Sequence, residues 1–267
     1  MAERALLMAA LCAYAWAWWV AWRPHRGAGG GPGVVAGLGA GVALHAASLM
    51  WRWQALGHGP FTTMHEILSS SLWSLSLVLV LGAARLREVR AAVRMAVPVL
   101  AVLSAWMLMA DARPGHLPPT YDTPLLYVHT VVGKVFLGLM LIAVSVSMVP
   151  VAGRHAGQVA TPGGAADDRC TDLAHRFAAG AFVCHSLMLI VGAVWAQDAW
   201  GRYWAWDPLE TWAFLTWLAL AAALHARITV PAASTVQALW WTGVFVLAFL
   251  TFFGVPFLST SPHKGAV

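Results

Sequence analysis

The residues Trp200-Gly-Arg-Tyr-Trp-Ala-Trp-Asp-Pro-Leu-Glu-Thr-Trp212 set four tryptophans, a tyrosine, an aspartate and a glutamate between two long apolar runs. Flat indole faces offer stacking area to a planar ligand, and their N–H groups can orient polar substituents. The plainer reading is an interfacial belt, in which Trp and Tyr sit at lipid headgroup depth. The density of rings and the way the stretch ends favour a ligand seat. Asp207-Pro208-Leu209-Glu210 reads as a helix start, with Asp207 as N-cap, Pro208 at N1 and Glu210 at N3 closing a capping box. The aromatic loop, with Trp200, Trp204 and Trp206, is thereby fixed to the first turn of the next helix. A rigid aromatic shelf of this kind can seat a porphyrin.

The histidines are the second source of chemistry. His129 lies at the start of one apolar run, after the proline-rich segment Arg113–Pro124, and His263 lies just beyond the last run. Two neutral imidazoles flanking an aromatic platform can ligate heme iron axially, although a lone interfacial histidine is more often merely hydrated. His225 lies near the far end of the seventh run, where an ionisable group within a span is a functional candidate. At ~1.5 Å per residue, His45 sits on the order of 15 Å away from the depth of His225, and His185 is roughly central. Both read as interhelical hydrogen-bond partners rather than ligands. Lys134 can snorkel to the surface or pair with a ligand carboxylate. Glu66 is favourable at a helix start whatever its function. Arg52, His58 and His65 gather on the same side and form only a weak anionic-ligand signal.

These side chains need a scaffold, and composition names it. The chain has 267 residues, 60% of them hydrophobic and 10% charged, with sixteen tryptophans. Apolar runs of bilayer-spanning length recur throughout. They predict an all-α, polytopic membrane helix bundle, one membrane domain over 1–267, with about eight helices near 4–22, 33–51, 62–83, 92–110, 125–149, 175–196, 209–227 and 236–256. The first run is too long and Trp-rich for a cleaved signal peptide and reads as a retained span. The stretch 150–174, rich in Gly, Ala and Asp, reads as the longest loop. No internal repeat supports an inverted-repeat transporter.

Arginine and lysine counts orient the bundle. With the N-terminus outside, one set of loops carries Arg23, Arg26, Arg85, Arg87, Arg90, Arg94, Arg154, Arg169, Arg176 and Arg227, and the other carries Arg4, Arg52, Arg113, Arg202 and Lys264. The richer set belongs in the cytoplasm. The tryptophan loop 197–208, His129 and His263 then share the outer face of a bacterial plasma membrane. The net charge of +5 reflects those basic loops, and no nucleic-acid partner is expected. Cys12, Cys170 and Cys184 form neither C-x-x-C nor C-x-x-C-H. The chain therefore performs no thiol–disulfide exchange of its own and is not a c-type cytochrome.

The tryptophan stretch, with Gly192–Ala196 before it and Leu224-His225-Ala226-Arg227 after it, resembles the CcsA/ResC family of system II cytochrome c biogenesis. This family belongs to a wider heme-handling group with a tryptophan-rich "WWD" domain, here 197–212. Leu44-His45, Gly57–Pro60 through Glu66, Val128-His129 and Phe252–Ser259 running up to His263 extend the match over essentially the whole chain. Leu209 stands where the family usually has lysine and His65 where it has tyrosine. Ser261-Pro262-His263-Lys264 replaces the usual Leu-His-Ser-Tyr. The resemblance implies a membrane complex with a CcsB/ResB-like subunit. That complex carries heme b outward as bound substrate and presents it for thioether attachment to the C-x-x-C-H cysteines of apocytochrome c. It further implies that His129 and His263 are the external axial ligands. His225 would be an inner ligand whose counterpart comes from the partner.

Three functions follow from these readings. The first is a heme-delivering subunit of a heme lyase, in which catalysis is mainly positioning and no catalytic acid is apparent. The second is a HemX-like heme-binding chaperone or regulator without ligase activity. The third, a solute transporter, leaves the aromatic stretch unexplained.

Overall fold

The computed structural model describes residues 2–23, 31–117, 119, 121–155 and 164–258. Among these residues every regular element is a helix: α1 Ala2–Trp22, α2 Pro32–Leu56, α3 Met64–Arg85, α4 Arg87–Met109, α5 Pro124–His155, α6 Ala165–Trp200, α7 Pro208–Thr229, α8 Ser234–Phe253 and the single turn α9 Val255–Leu258. The first eight are long and apolar enough to cross a membrane, because a hydrocarbon core of ~30 Å needs about 20 helical residues. This is a multi-pass membrane protein.

The chain forms two compact units, Met1–Gly115 and His116–Val267. In the first, α1 packs on α2, α2 on α3, α3 on α4, and α4 back on α1. Gly37 and Gly41, one turn apart on α2, let α1 approach closely: a methyl group at Gly37 would stand 2.6 Å from the Trp16 ring, and one at Gly41 would overlap Tyr14. Close backbone approach substitutes for the hydrophobic effect where the surrounding solvent is itself apolar. One end of this unit holds a buried ion cluster. Arg52 donates from Nε to Glu66 at 2.8 Å, from Nη1 to Glu3 at 3.1 Å and from Nη2 to the Ala112 carbonyl at 3.0 Å. Glu66 also accepts from the Thr62 amide and hydroxyl, so its buried charge is fully coordinated.

In the second unit α5 pairs most extensively with α6, and α8 closes the group against α5, α6 and α7. At the end away from the tryptophan loop, Arg154 of α5 meets Asp167 of α6 at 3.2 Å and donates to Ser234 and Thr235 of α8. Ser234 in turn donates to Asp167. The expected loop at 150–174 is corrected by the structure. Helix α5 continues through Pro150 to His155, and α6 starts at Ala165. The physical reason is that Asp167 and Asp168 in the first turn suit a helix N-terminus, and the Ala, Arg and Leu that follow are good helix formers. A polar segment can thus be a helix that continues past the apolar core. At its other end α6 reaches Trp200, so the loop is 201–207 and Trp200 belongs to the helix.

Candidate functional site

At one end of the second unit the start of α5 packs on α6, and the loop that follows α6 leads directly into the start of α7. His129, on the second turn of α5, lies against α6. Its Nδ1 donates to the Met188 carbonyl at 3.0 Å, and its ring stacks near-parallel to Trp195 at 6.5 Å and 16°. Because a carbonyl can only accept, Nδ1 carries the proton. In the neutral imidazole the lone pair then resides on Nε2.

Trp195 and Trp200 extend this cluster. Their rings meet edge-on at 4.9 Å, and Tyr121 stands perpendicular to both at 5.4 and 5.9 Å. The Trp200 Nε1–H donates to the Tyr121 hydroxyl at 3.1 Å, and the Trp195 Nε1–H to the Tyr121 carbonyl at 3.4 Å. Tyr121 thus ties the loop before α5 to the end of α6. A lone tyrosine in a proline-rich segment carries little signal in sequence, and its role escaped that reading. So did Met188, which acts through its backbone.

Gly201 ends α6 in the left-handed conformation at φ 75°, its amide donating to Gln197 O, a geometry open to glycine at no steric cost. The chain then turns into a second aromatic cluster. Trp204, Trp206 and Phe214 are mutually near-perpendicular, with centroids 5.7–6.3 Å apart. Phe214 stacks on Trp217, and Trp217 on Phe182 of α6. Trp206 adopts φ 58°, a region that bulky L-residues rarely enter, and the residue is 67% exposed. The Trp204 Nε1–H is buried without an acceptor among the described residues.

The helix start holds this strained loop. Asp207 caps α7 by accepting from the Glu210 amide at 2.9 Å, with Pro208 in the first turn. The capping box differs from the expected reciprocal form. Glu210 reaches past the cap and accepts the Ala205 amide at 2.7 Å, which pins the residue between the two tryptophans.

The remaining candidates are scattered. His225 lies at the opposite end of α7 and is exposed. His263 lies outside the described residues. His45 is fully buried in the first unit, where Nε2 pairs with Ser69 Oγ at 2.9 Å and Nδ1 with the Tyr14 hydroxyl at 3.4 Å. His185 is also buried and stacks on Phe136 at 4.2 Å. Neither of its nitrogens has a partner among the described residues, so the expected interhelical bond is made by His45 and not by His185. Lys134 is half-buried on α5.

A family model described as "Cytochrome C assembly protein" matches residues 63–263. The chain belongs to the cytochrome c assembly protein family. The assembly-family match opens at Thr63, the N-cap of α3, and takes in His129, the tryptophan loop, His225 and His263. Similarity to relatives reaches further towards the N-terminus. Two proteins named cytochrome c biogenesis protein CcsA, from Prochlorococcus marinus strains MIT 9515 and MIT 9312, are 28% and 29% identical over 246 and 248 residues. These alignments cover 82% and 83% of this chain, and 79% and 80% of the relatives. A protein of the same name from Guillardia theta is 44% identical over 102 residues, 35% of this chain and 31% of its own length.

Proposed function

We propose that this assembly-family member holds heme b as bound substrate at the tryptophan-loop end and presents it for thioether attachment to the C-x-x-C-H cysteines of apocytochrome c. His129 is one axial ligand of that heme and His263 the other. The observation that carries the reading is the Nδ1 bond of His129 to the Met188 carbonyl. A second ring nitrogen anchored on a backbone oxygen fixes tautomer and ring plane, the usual support for an iron-ligating imidazole.

The surroundings fit a porphyrin. The exposed Trp206 offers a flat face, and the Trp204 N–H is a donor without an acceptor among the described residues. Trp200 with Trp195 and Tyr121 lines the flank beside His129. Thioether formation adds each cysteine S–H across a vinyl group of the heme, forming one C–S and one C–H bond with no net redox change. The chain's own contribution is orientation and exclusion of competing reactions. Arginine bias supports the tryptophan end facing outward from a bacterial plasma membrane.

His225 serves an inner heme site shared with a CcsB/ResB-like subunit. Its exposure at the far end of α7 suits a ligand completed by another chain. Heme titration of the chain alone and of the co-expressed complex tests this assignment. A second heme should appear only in the complex and vanish in His225→Ala. A bis-histidine spectrum of the isolated chain that is lost in His225→Ala refutes the shared site.

For the outer site, His129→Gly should abolish cytochrome c maturation, and added imidazole should partly restore it by filling the axial position. Normal maturation by His129→Gly refutes the function proposed.

A further inference from the structure

Helix α6 carries Gly192 in its interior, opposite His129. A Cβ added at this position would stand 2.7 Å from His129 Nδ1 and 2.8 Å from Cε1, well inside van der Waals contact. The obstructed atoms belong to a planar ring that is tethered through Nδ1 to the Met188 carbonyl and lies near-parallel to Trp195, so a methyl group at 192 can be accommodated only if the whole ring shifts. The carbonyl that His129 reaches is that of Met188, one helical turn before Gly192. Within α6 this carbonyl is also the acceptor for the Gly192 amide in the i→i−4 ladder. One oxygen with two lone pairs therefore serves both the helix and the imidazole. The ring gains access to it across the face where residue 192 has no side chain.

Glycine in a helix interior is unfavourable relative to alanine. A general need for close helix packing does not account for it here. Gly180, on the same helix and also facing α5, has ordinary clearance: a methyl group there would meet only Leu139 at 3.7 Å. At Gly192 the atoms met are those of the imidazole itself.

We propose that Gly192 is a positioning residue for His129. Its missing side chain admits the imidazole to the Met188 carbonyl, and this contact fixes the Nδ1-protonated tautomer and aims Nε2 at iron. The inference rests on the reading that His129 ligates heme. A methyl group at 192 expels the ring from the carbonyl, frees it to rotate and weakens the axial bond without removing the ligand.

The test compares Gly192→Ala, Gly180→Ala and His129→Gly in the full-length chain, purified with bound heme and read by optical spectroscopy with and without imidazole. Gly180→Ala should match the parent. Gly192→Ala should lose the low-spin bis-histidine signature at least ten-fold in population and regain it with millimolar imidazole, as His129→Gly does. If His129→Gly loses the signature and Gly192→Ala keeps it, the positioning role is overturned while the ligand assignment stands. If His129→Gly itself keeps the signature, the ligand assignment fails and the positioning role with it. Should Gly192→Ala not insert, nitrogen-15 shifts of His129 in the heme-free parent decide. Protonated Nδ1 with bare Nε2 upholds the proposal, and the opposite tautomer overturns it.

Discussion

Glu210 accepts the backbone amide of Ala205 at 2.7 Å, reaching back beyond the residue that caps its own helix. Glu66 does the same at α3, where Thr63 caps the helix and the glutamate takes the Thr62 amide at 3.0 Å. In each case a carboxylate at N3 steadies the chain entering a membrane helix. Glu210→Ala removes a charge-assisted bond worth about 1.5–3 kcal/mol. Amide exchange at Ala205 should then accelerate by at least about ten-fold, measurable by hydrogen–deuterium exchange of the purified chain. Unchanged protection at Ala205 would mean that the tryptophan loop holds itself.

Trp206 keeps its left-handed backbone because the residues on either side are fastened. Trp206→Gly relieves about 1–2 kcal/mol of backbone strain and gives up edge contacts of a largely exposed ring. Thermal stability should shift by no more than about 1 kcal/mol, while heme retention falls. A variant that keeps full heme content would leave the ring as an interfacial anchor only.

The Arg52–Glu66 pair has one member fully buried and the other nearly so. Arg52→Met strands the Glu66 carboxylate and should cost about 3–5 kcal/mol. Adding Glu66→Gln should recover most of this loss, because the stranded charge is removed along with its partner. Thermal unfolding of the single and double variants in detergent measures the difference. Simple additivity of the two losses would show that the groups act independently.

His45 and His185 should respond in opposite ways. His45→Leu leaves Ser69 and Tyr14 without their shared partner and should destabilise by about 1–3 kcal/mol. His185→Leu removes an imidazole whose nitrogens bond to nothing described, and should be neutral or stabilising. A loss on the His45→Leu scale would reveal a partner for His185, and unfolding midpoints distinguish the two cases.

Sequence periodicity located the spans because apolar length is read directly from composition. It also located the α7 start, since Asp207, Pro208 and Glu210 announce a cap by type and spacing alone. The helical stretch 165–174 was not legible, because a search for apolar length passes over a polar helix that continues beyond the core. The two-cluster division of the tryptophans was equally hidden. Trp200 belongs with Tyr121 and Trp195, and Trp204 and Trp206 with Phe214, since the helix end at Gly201 falls between them. The anchoring of His129 depends on which turn of α6 faces α5, a packing relation that spacing along the chain does not encode.

Helix α7 carries the clamped pair Trp204–Trp206 at its root and His225 near its far tip. From Pro208 to His225 is about 26 Å at the α-helical rise, and no proline interrupts that stretch. The two ends are thus borne on one stiff rod rather than on separately adjustable loops. A tilt of about 5° pivoting at one end carries the other through about 2 Å, comparable to an iron–nitrogen bond. Geometry at the aromatic end and geometry at the distant imidazole are therefore mechanically linked, so a displacement of the His225 end carries the clamped tryptophan pair with it.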